Sequence, residues 1–347
     1  MKAESGKYGM KNLRKSSTLI VAIGLLLLSS GIYAQEKKLE PLTVSYASVS
    51  GTRAPLWIAK DLGLFEKYGL DVNLLYIASA TTSLNALLGG SVHMIAASGA
   101  SAIGAAARGA PVAIIASLGA IHYKLIARPS ITSVRELRGK VIGSSRIGAG
   151  SDYALRRLLP KLGLTAGKDV QLLPTGLSES DRRLLIMLQG KIDATLATVD
   201  NILQLELVGQ KVSVLADLLE AGVYTTGSDI STSRQLIKER PRQLKAFIMA
   251  LSEGTWIGRN QKEIATRIYR KYMKIDDPRL LESMHRNYLQ GTIPIKPFPQ
   301  EEAIQNDIED LSHTYPHLKG RQVSEFLDLA LLKELESEGF FTRLHGR

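Results

Sequence analysis

Short apolar runs alternate with helical patterns along the first two thirds of the chain. Residues 42–46, 92–96 and 112–117 have the length and composition of buried strands, and a further strand is predicted from residue 70 to residue 77. Between them, residues 55–62, 81–88 and 102–108 carry apolar side chains at helical spacing. Strands that alternate with helices in this way predict an α/β fold with parallel, helix-covered sheets.

A second α/β set follows the first. Strands are predicted at residues 124–127, 141–142, 170–173, 194–197 and 212–215, and helices at 133–137, 180–189 and 201–208. Residues 224–226 are predicted to return to the first set, and the pattern from residue 233 onward is helical. Residues 87–94 (LLGGSVHM) and 187–194 (MLQGKIDA) both run from a helix end through a glycine turn into a strand. This echo predicts two similar lobes.

The stretch from residue 140 to 155, KVIGSSRIGAGSDYAL, predicts a strand, a glycine-bearing loop and a helix that Ser151 caps. Unpaired N–H groups and a partial positive charge let a helix start receive an anionic ligand. Many strand-to-helix turns look like this and bind nothing, so both interpretations stay open. Tyr153 stands where a dinucleotide fingerprint needs its third glycine, and no Gly-Lys-Ser/Thr follows, which disfavours nucleotide binding.

The N-terminal residues 1–34 have the pattern of a signal peptide. Five Lys or Arg residues precede an apolar run at 19–28, and Ile32, Tyr33 and Ala34 offer a cleavage site before Gln35. An uncleaved membrane anchor is the alternative, although the run is short for a membrane span. The chain has no cysteine, so neither disulfides nor a lipid-modified N-terminal cysteine is available. We therefore expect export to a bacterial periplasm.

Charge and motifs limit the other classes of function. The net charge is +11, but the basic residues lie mostly singly between acidic ones, so no nucleic-acid partner is expected. His313 and His317 have helical spacing, but Pro316 lies between them, and no metal or cofactor is expected. Ile103 stands where a nucleophile elbow around Ser101 would need glycine. A monomeric, non-catalytic protein is the leading hypothesis.

Residues 58–72 read IAKDLGLFEKYGLDV, and further characteristic runs occur at 108–112, 136–140, 190–194 and 335–340. These motifs resemble those of the nitrate/sulfonate/taurine-type substrate-binding proteins of ABC importers, a group that includes thiamine-pyrimidine binders. The resemblance implies a type II periplasmic-binding fold, with a ligand cleft between two α/β lobes joined by two crossing strands. It places lobe 1 at 35–126 and 225–347, and lobe 2 at 127–224. Hinges are expected near Ala127 and Thr225.

The resemblance and the loop positions together select candidate ligand-binding residues. They are Ser48, Gly51, Arg53, Ser98, Ser101, Gly148, Ala149, Gly150, Ser151, Tyr153, Asp200 and Tyr224. Arg53 offers a bidentate fork to a sulfonate or carboxylate, with a solvated loop arginine as the alternative. Ser101 and Asp200 have helix caps as their alternatives. Trp57 is expected to pack in the core of the first lobe.

Two departures from the family pattern bear on the ligand. His93 stands where these proteins usually carry an acidic residue, and Asp200 stands where they often have an aromatic residue and a proline. A carboxylate near the cleft, together with Asp152 at the predicted helix start, makes a simple anion a less favourable ligand. We expect a small polar, oxyanion-bearing ligand that is passed to an ABC permease. A same-fold enzyme or binder of thiamine-pyrimidine metabolism, and a sensor domain, are the alternatives.

Overall fold

The computed structural model describes Met1 and residues 38–148, 150–177 and 179–346. The predicted signal peptide therefore lies, except for Met1, outside the described residues. Contacts along the chain divide it into Met1–Lys38 and Leu39–Arg347, and every element below belongs to the second unit. Among the described helices, none combines the length and the apolar character needed to cross a membrane.

The first sheet is assembled from both ends of the second unit. Its strands are β1 (Glu40–Tyr46), β2 (Leu70–Tyr76), β3 (Met94–Ala97), β4 (Val112–Ser117) and β10 (Asp229–Ser233). They lie in the order β2-β1-β3-β10-β4. Strand β1 pairs in parallel with β2 and β3, whereas β10 pairs antiparallel with β3 and β4.

The second sheet repeats this arrangement. It consists of β5 (Lys124–Ala127), β6 (Val141–Ser144), β7 (Gln171–Pro174), β8 (Ala194–Ala197) and β9 (Ser213–Asp217), in the order β7-β6-β8-β5-β9. Strand β6 is parallel to β7 and β8, and β5 is antiparallel to β8 and β9. In each sheet the antiparallel strand, β5 or β10, is the first strand after the chain crosses from the other sheet.

The sheets are therefore mixed rather than purely parallel, which corrects the prediction from strand and helix alternation. Strand β10 was missed altogether, because the predicted return at residues 224–226 is irregular and the strand begins only at Asp229. Its sequence DISTS lacks the apolar run that marks the other strands, although its first four residues are buried. Burial between β3 and β4, and not strand propensity, makes this segment extended.

Helices cover the two sheets and form most of the C-terminal third. They are α1 (Ala54–Asp61), α2 (Leu64–Lys67), α3 (Ala80–Leu88), α4 (Gly99–Ala107), α5 (Gly150–Lys161), α6 (Ser180–Leu188), α7 (Val199–Leu207), α8 (Arg234–Glu239), α9 (Pro241–Asn260), α10 (Lys262–Met273), α11 (Pro278–Met284), α12 (Glu301–Ser312), α13 (Ala330–Ser337) and α14 (Phe340–His345). A π-helix spans His285–Thr292, and 3₁₀ turns span Gly51–Arg53, Val134–Leu137, Pro316–Leu318 and Val323–Glu325.

The cores lie where the apolar helix faces meet the sheets. Phe65 stacks on Phe247 of α9 at a ring distance of 5.3 Å beside the first sheet. Trp57 is completely buried and stacks on Tyr272 at 4.8 Å, so its predicted core position is confirmed. Fully burying a large apolar side chain stabilises the fold by about 2 to 3 kcal/mol. These layers hold the loops at the strand ends in place.

Two segments link the sheets, residues 118–123 between β4 and β5 and residues 218–228 between β9 and β10. They are tied together by hydrogen bonds from Leu118 N to Ser228 O at 2.8 Å and from Ser228 N to Gly119 O at 3.1 Å. A Cβ on Gly227 would lie 2.4 Å from Ile121 N, so only glycine fits this approach. The two linking segments are therefore held together near Gly119. Of the two predicted hinge positions, Thr225 lies in a linking segment, whereas Ala127 is the last residue of β5.

Candidate functional site

Arg53 is a buried cation at the end of the loop that follows β1. The 3₁₀ turn begins after Ser50, and α1 starts directly after Arg53 with Pro55 in its first turn. Only 1% of the side chain is exposed, so the expected alternative of a solvated arginine is wrong. Its Nη1 donates to Ser228 Oγ at 2.5 Å and its Nη2 to Ser48 Oγ at 3.3 Å.

The charge of Arg53 is incompletely compensated. Within the described ranges, its buried Nε has no hydrogen-bond partner and its guanidinium forms no ion pair. Burial lowers the pKa of Arg53 to about 10, while the nearby carboxylate of Asp229 opposes that shift. The guanidinium is thus still charged at neutral pH. A buried cation with a free donor favours an anionic acceptor beside it.

The start of α4 is capped by residues from the far end of the chain. Asp229 Oδ2 accepts from Gly99 N at 3.0 Å, and Thr226 Oγ1 accepts from Ala100 N at 3.1 Å. Ser98 Oγ lies 3.1 Å from Thr226 Oγ1. Ser101 is already inside α4, so the alternative that it caps this helix is wrong. The strand β10 and its preceding segment supply the capping that the local sequence lacks.

The loop after β6 closes on itself before α5. Ser151 Oγ accepts from Ser145 N at 3.0 Å and donates to Ser145 Oγ at 2.7 Å. Helix α5 begins at Gly150, so Ser151 lies in its first turn and is not the predicted N-cap. A Cβ on Gly150 would lie 3.5 Å from Ser98 Oγ. The loops of the two sheets therefore approach each other closely at this glycine.

A cavity of about 80 Å³ lies between these loops, and we call it the cleft cavity. It is lined by five of the predicted residues, namely Ser48, Arg53, Ser98, Gly150 and Ser151. The linking segments add Ile121, Tyr123, Thr226 and Gly227, and Ala47, Ala80, Ala97 and Ser145 complete the lining. This volume is far below the roughly 300 to 1,000 Å³ of drug-sized sites. It suits a small polar group surrounded by hydroxyls and one guanidinium.

Three other predicted residues lie together elsewhere. Ser101, Gly148 and Tyr153 line a cavity of about 750 Å³ between α3, α4, α5 and the end of α12, which we call the basic cavity. Gly148 has φ +75°, a backbone conformation that favours glycine, and its N–H donates to Asp152 Oδ2 at 3.1 Å. Burial raises the pKa of Tyr153 to about 12.

Asp200 and Gly51 are brought together through Tyr288 of the π-helix. Tyr288 OH donates to Asp200 Oδ1, and a Cβ on Gly51 would overlap the Tyr288 ring. Burial raises the pKa of Asp200. Helix α7 begins at Val199 with Thr198 as its cap, so the expected cap role of Asp200 is wrong. Asp200 instead lines a cavity of about 160 Å³ that shares Ser48, Ile121 and Tyr123 with the cleft cavity.

Two candidates remain, and Tyr224 lines none of these cavities. Tyr224 lies in a linking segment, where its carbonyl oxygen accepts from Arg157 Nη1 at 2.9 Å. Ala149 lies outside the described residues. Sequence reasoning missed Ser145, Tyr123 and Thr226 as cavity residues. Ser145 belongs to the glycine-bearing stretch and could have been predicted from it. Tyr123 and Thr226 belong to no local motif.

Two buried carboxyl groups, those of Asp307 and Asp229, lie near the cleft cavity. Thr226 Oγ1 donates to Asp307 Oδ2 at 2.5 Å, and burial raises the pKa of Asp307 to about 8. Burial also raises the pKa of Asp229, to about 6. Asp307 is therefore protonated at neutral pH. Across the described ranges, no group of three or more His, Asp or Glu side chains is arranged to hold a metal ion.

The family model "NMT1/THI5 like" matches residues 51–263, which covers the 3₁₀ turn with Arg53, α4, the loop before α5 and β10. The chain belongs to the NMT1/THI5-like family. The comparison with curated protein sequences gave no match.

Solved structures share the fold of this NMT1/THI5-like protein. The periplasmic aliphatic sulphonate-binding protein SsuA from Escherichia coli is 20% identical, with a TM-score of 0.65 over 83% of this chain and 97% of its own. The periplasmic nitrate-binding protein NrtA from Synechocystis PCC 6803 is 16% identical, with a TM-score of 0.67 over 86% and 89%. The desulfurization enzyme DSZB is 14% identical, with a TM-score of 0.60 over 85% and 99%. The type II periplasmic-binding fold is thereby confirmed.

Proposed function

We propose that this protein is a solute-binding protein that captures a small oxyanion-bearing ligand in the cleft cavity and delivers it to an ABC importer permease. The observation that carries this proposal is Arg53, a buried guanidinium with a free Nε–H and hydroxyl groups around it. An oxyanion would compensate this charge and accept the free donor. The hydroxyl of Ser48 accepts from Arg53 Nη2 and can donate its own proton to another oxygen of the ligand.

The start of α5 supports the same ligand class. A helix N-terminus carries a partial positive charge and favours negative groups near it. Gly150 and Ser151 of α5 line the cleft cavity together with Arg53, so two independent sources of positive potential face one small volume. Sulfonate, nitrate and carboxylate groups are of the size and charge that this volume favours. Family membership and a fold shared with sulphonate- and nitrate-binding proteins are in accord with it.

Ligand capture would require movement of the two sheets relative to each other. The lining comes from loops of both sheets and from the linking segments, so a ligand has to enter while these loops are apart. We take the predicted lobes, 35–126 with 225–347 and 127–224, as the moving bodies. Export through residues 1–34 to the periplasm belongs to the same proposal.

An enzyme is the alternative, and the shared fold of DSZB keeps it open. Catalysis of acyl or sulfur chemistry needs a base beside the nucleophile. Of the described residues that line the cleft cavity, none is a histidine, lysine, aspartate or glutamate. The serine hydroxyls there bond to other hydroxyls, to Arg53 or to the backbone. This environment favours binding over reaction.

The test is a calorimetric and thermal-shift panel of alkanesulfonates, taurine, nitrate, bicarbonate, aromatic carboxylates and aminopyrimidines. A ligand at 100 times its dissociation constant stabilises the protein by about 2.7 kcal/mol, which such a screen detects. For an oxyanion hit, Arg53→Gln should raise Kd by at least about tenfold, because hydrogen bonds to charged groups contribute about 1.5 to 3 kcal/mol. Arg182→Gln removes an exposed charge outside the cleft cavity and should leave Kd within about twofold.

Gly150→Val gives a second test that leaves the charge unchanged. The added side chain would enter the space beside Ser98 Oγ and should weaken binding without unfolding the protein. Near-ultraviolet circular dichroism and urea unfolding of each variant establish that it is folded. Unchanged affinity in folded Arg53→Gln and Gly150→Val proteins would exclude the cleft cavity as the site. A hit restricted to aminopyrimidines would exclude the oxyanion.

A further inference from the structure

The basic cavity is separate from the proposed cleft site and has the dimensions of a small-molecule site. Its volume of about 750 Å³ falls within the range of roughly 300 to 1,000 Å³ that is typical of such sites. Its lining includes none of the residues that line the cleft cavity. The glycine-bearing stretch lies between the two, because Gly148 faces the basic cavity whereas Gly150 and Ser151 face the other.

The charges around the basic cavity leave an excess of unpaired positive groups. Two arginines are neutralised within it, since Arg156 Nε pairs with Asp152 at 3.0 Å and Arg157 Nη2 pairs with Asp310 at 2.6 Å. Arg108 and Lys161 also line the cavity, and within the described ranges neither forms an ion pair with a carboxylate. Two positive charges therefore remain for an anionic occupant.

Arg108 is held in a position to meet such an occupant. Its Nη1 donates to Tyr315 OH at 2.7 Å, and its guanidinium carbon lies 5.8 Å from the centre of the Tyr315 ring. Stacking on an aromatic face restricts a guanidinium while leaving its other N–H groups available. A side chain on the surface without such support would contribute little to recognition, because its conformational entropy would be lost on binding.

Apolar and aromatic side chains form much of the remaining lining, beside the polar residues Thr81, Ser101, His313 and Thr314. Leu84 is only 3% exposed at the floor, and Tyr153 and Pro160 form part of the walls. Ile147 lines the cavity with 74% of its surface exposed. Covering it would bury apolar area worth about 25 cal/mol per Å². The cavity thus combines basic side chains with apolar and aromatic surface.

The geometry points to the basic cavity as a second ligand site, one that takes an organic anion with an aromatic or alkyl body. The carboxylate or sulfonate group would lie against Arg108 and Lys161, and the apolar body would contact Leu84, Ile147 and Tyr153. This site does not depend on the proposed function of the cleft cavity, since neither Arg53 nor the serine hydroxyls take part.

Titration calorimetry with 2-naphthoate on the purified full chain tests the site. The Arg108→Gln/Lys161→Gln double variant should bind at least about tenfold more weakly than the wild type. Raising the sodium chloride concentration should weaken wild-type binding, because exposed charges are screened. The matched control is Arg267→Gln/Lys168→Gln, which removes two exposed charges elsewhere and should bind like the wild type.

Two further variants separate the sites. Thr81→Trp fills the basic cavity from its exposed rim without changing charge and should also weaken 2-naphthoate binding at least about tenfold. Gly150→Val in the cleft cavity should leave it unchanged. The proposal is overturned if the wild type gives no binding, if the double variant and Thr81→Trp bind as tightly as the wild type, or if Gly150→Val abolishes binding. Loss of oxyanion binding by Arg53→Gln with 2-naphthoate binding retained would show that the two sites are independent.

Discussion

His93 and Asp193 occupy equivalent positions in the two sheets, and each accepts a hydrogen bond from the backbone of the neighbouring strand. Thr43 N donates to His93 Nδ1 at 3.0 Å, and Val141 N donates to Asp193 Oδ2 at 2.9 Å. The return bonds match as well, since His93 N donates to Thr43 O and Asp193 N to Val141 O, both at 2.8 Å. The departure of His93 from the family pattern therefore preserves the structural turn by means of a neutral imidazole.

This substitution predicts a dependence of stability on pH. Burial lowers the pKa of His93, and the charge of Arg240 lowers it further. As pH falls through about 6.5, the unfolded chain binds a proton that folded His93 resists, so stability is lost toward acid pH. His93→Asp provides an acceptor that stays ionised there. As pH falls from 7.5 to 5.5, the free energy of unfolding of His93→Asp should rise relative to that of the wild type. The increase should be at most about 1.4 kcal/mol per pH unit.

Urea unfolding at several pH values measures this difference, and the comparison cancels the groups common to both proteins. Thr266→Ala, a substitution at a half-buried position in α10, should keep a constant difference from the wild type across the same range. A His93→Asp curve parallel to the wild-type curve would mean that His93 does not titrate differently in the folded state.

Asp307 predicts a pH effect of the opposite sign. Its folded pKa of about 8 lies above the ordinary aspartate value, so the folded protein holds a proton that the unfolded chain has already released. Stability is therefore greatest at acid pH and is lost as pH rises from about 4 to about 8. Asp307→Asn resembles the protonated carboxyl and still accepts from Thr226 Oγ1. Its stability relative to the wild type should increase from pH 5 to pH 8.

The check for Asp307 is urea unfolding of both proteins at pH 5, 6.5 and 8. Asp328→Asn alters a half-buried carboxylate near α13 and should show no comparable trend. A relative stability of Asp307→Asn that stays constant or falls with pH would contradict a raised pKa for this carboxyl.

Much of the fold was predictable because most strands carry apolar runs of the right length. Residues 112–117, 124–127 and 194–197 were predicted with the bounds that the structure has. Strand β10 was not, since Asp229 and Ser231 are polar residues buried by their neighbours. The antiparallel direction of β5 and β10 likewise depends on contacts between distant segments. The local sequence pattern indicates which segments form strands or helices, whereas the order and direction of the strands depend on tertiary packing.

The residues of the candidate site were likewise only partly predictable from the sequence. Ser48, Arg53, Ser98, Gly150 and Ser151 lie on loops after strands, where α/β proteins place their ligands, and these loops do meet. Thr226 lies 128 residues from the serine it contacts, and no local motif marks it. The caps of α4 show the same limit, because Asp229 and Thr226 replace the local side chain that the sequence led us to expect.

Gly119 predicts a steric constraint at the crossing between the sheets. Its φ is +93°, and a Cβ there would lie 2.2 Å from Thr292 O. Gly119→Ala should therefore destabilise the protein by about 3 kcal/mol, from backbone strain together with the displaced contact. Gly109→Ala is the matched control, since Gly109 has φ +86° with nothing within 4 Å, and it should cost only about 1 kcal/mol. Equal losses in urea unfolding would show that the contact with Thr292 is easily relieved.

The Tyr288–Asp200 hydrogen bond joins the π-helix to α7 in a buried environment, with Tyr288 4% and Asp200 7% exposed. Tyr288→Phe removes the donor and leaves the carboxylate buried without it, so we expect a loss of about 1 to 3 kcal/mol in the free energy of unfolding. Tyr269→Phe is the matched control, because Tyr269 is also buried and its hydroxyl makes only a 3.5 Å contact with Gly51 O.

The pH dependence of the Tyr288→Phe loss tests the mechanism. A hydrogen bond donated to a carboxylate stabilises its ionised form, and burial raises the pKa of Asp200. The loss should therefore be larger at pH 8 than at pH 4, because the ionised fraction of Asp200 increases with pH, and it should shrink in an Asp200→Asn background. A loss that is the same at both pH values and in both backgrounds would assign the effect to packing of the Tyr288 ring against Gly51 rather than to the hydrogen bond.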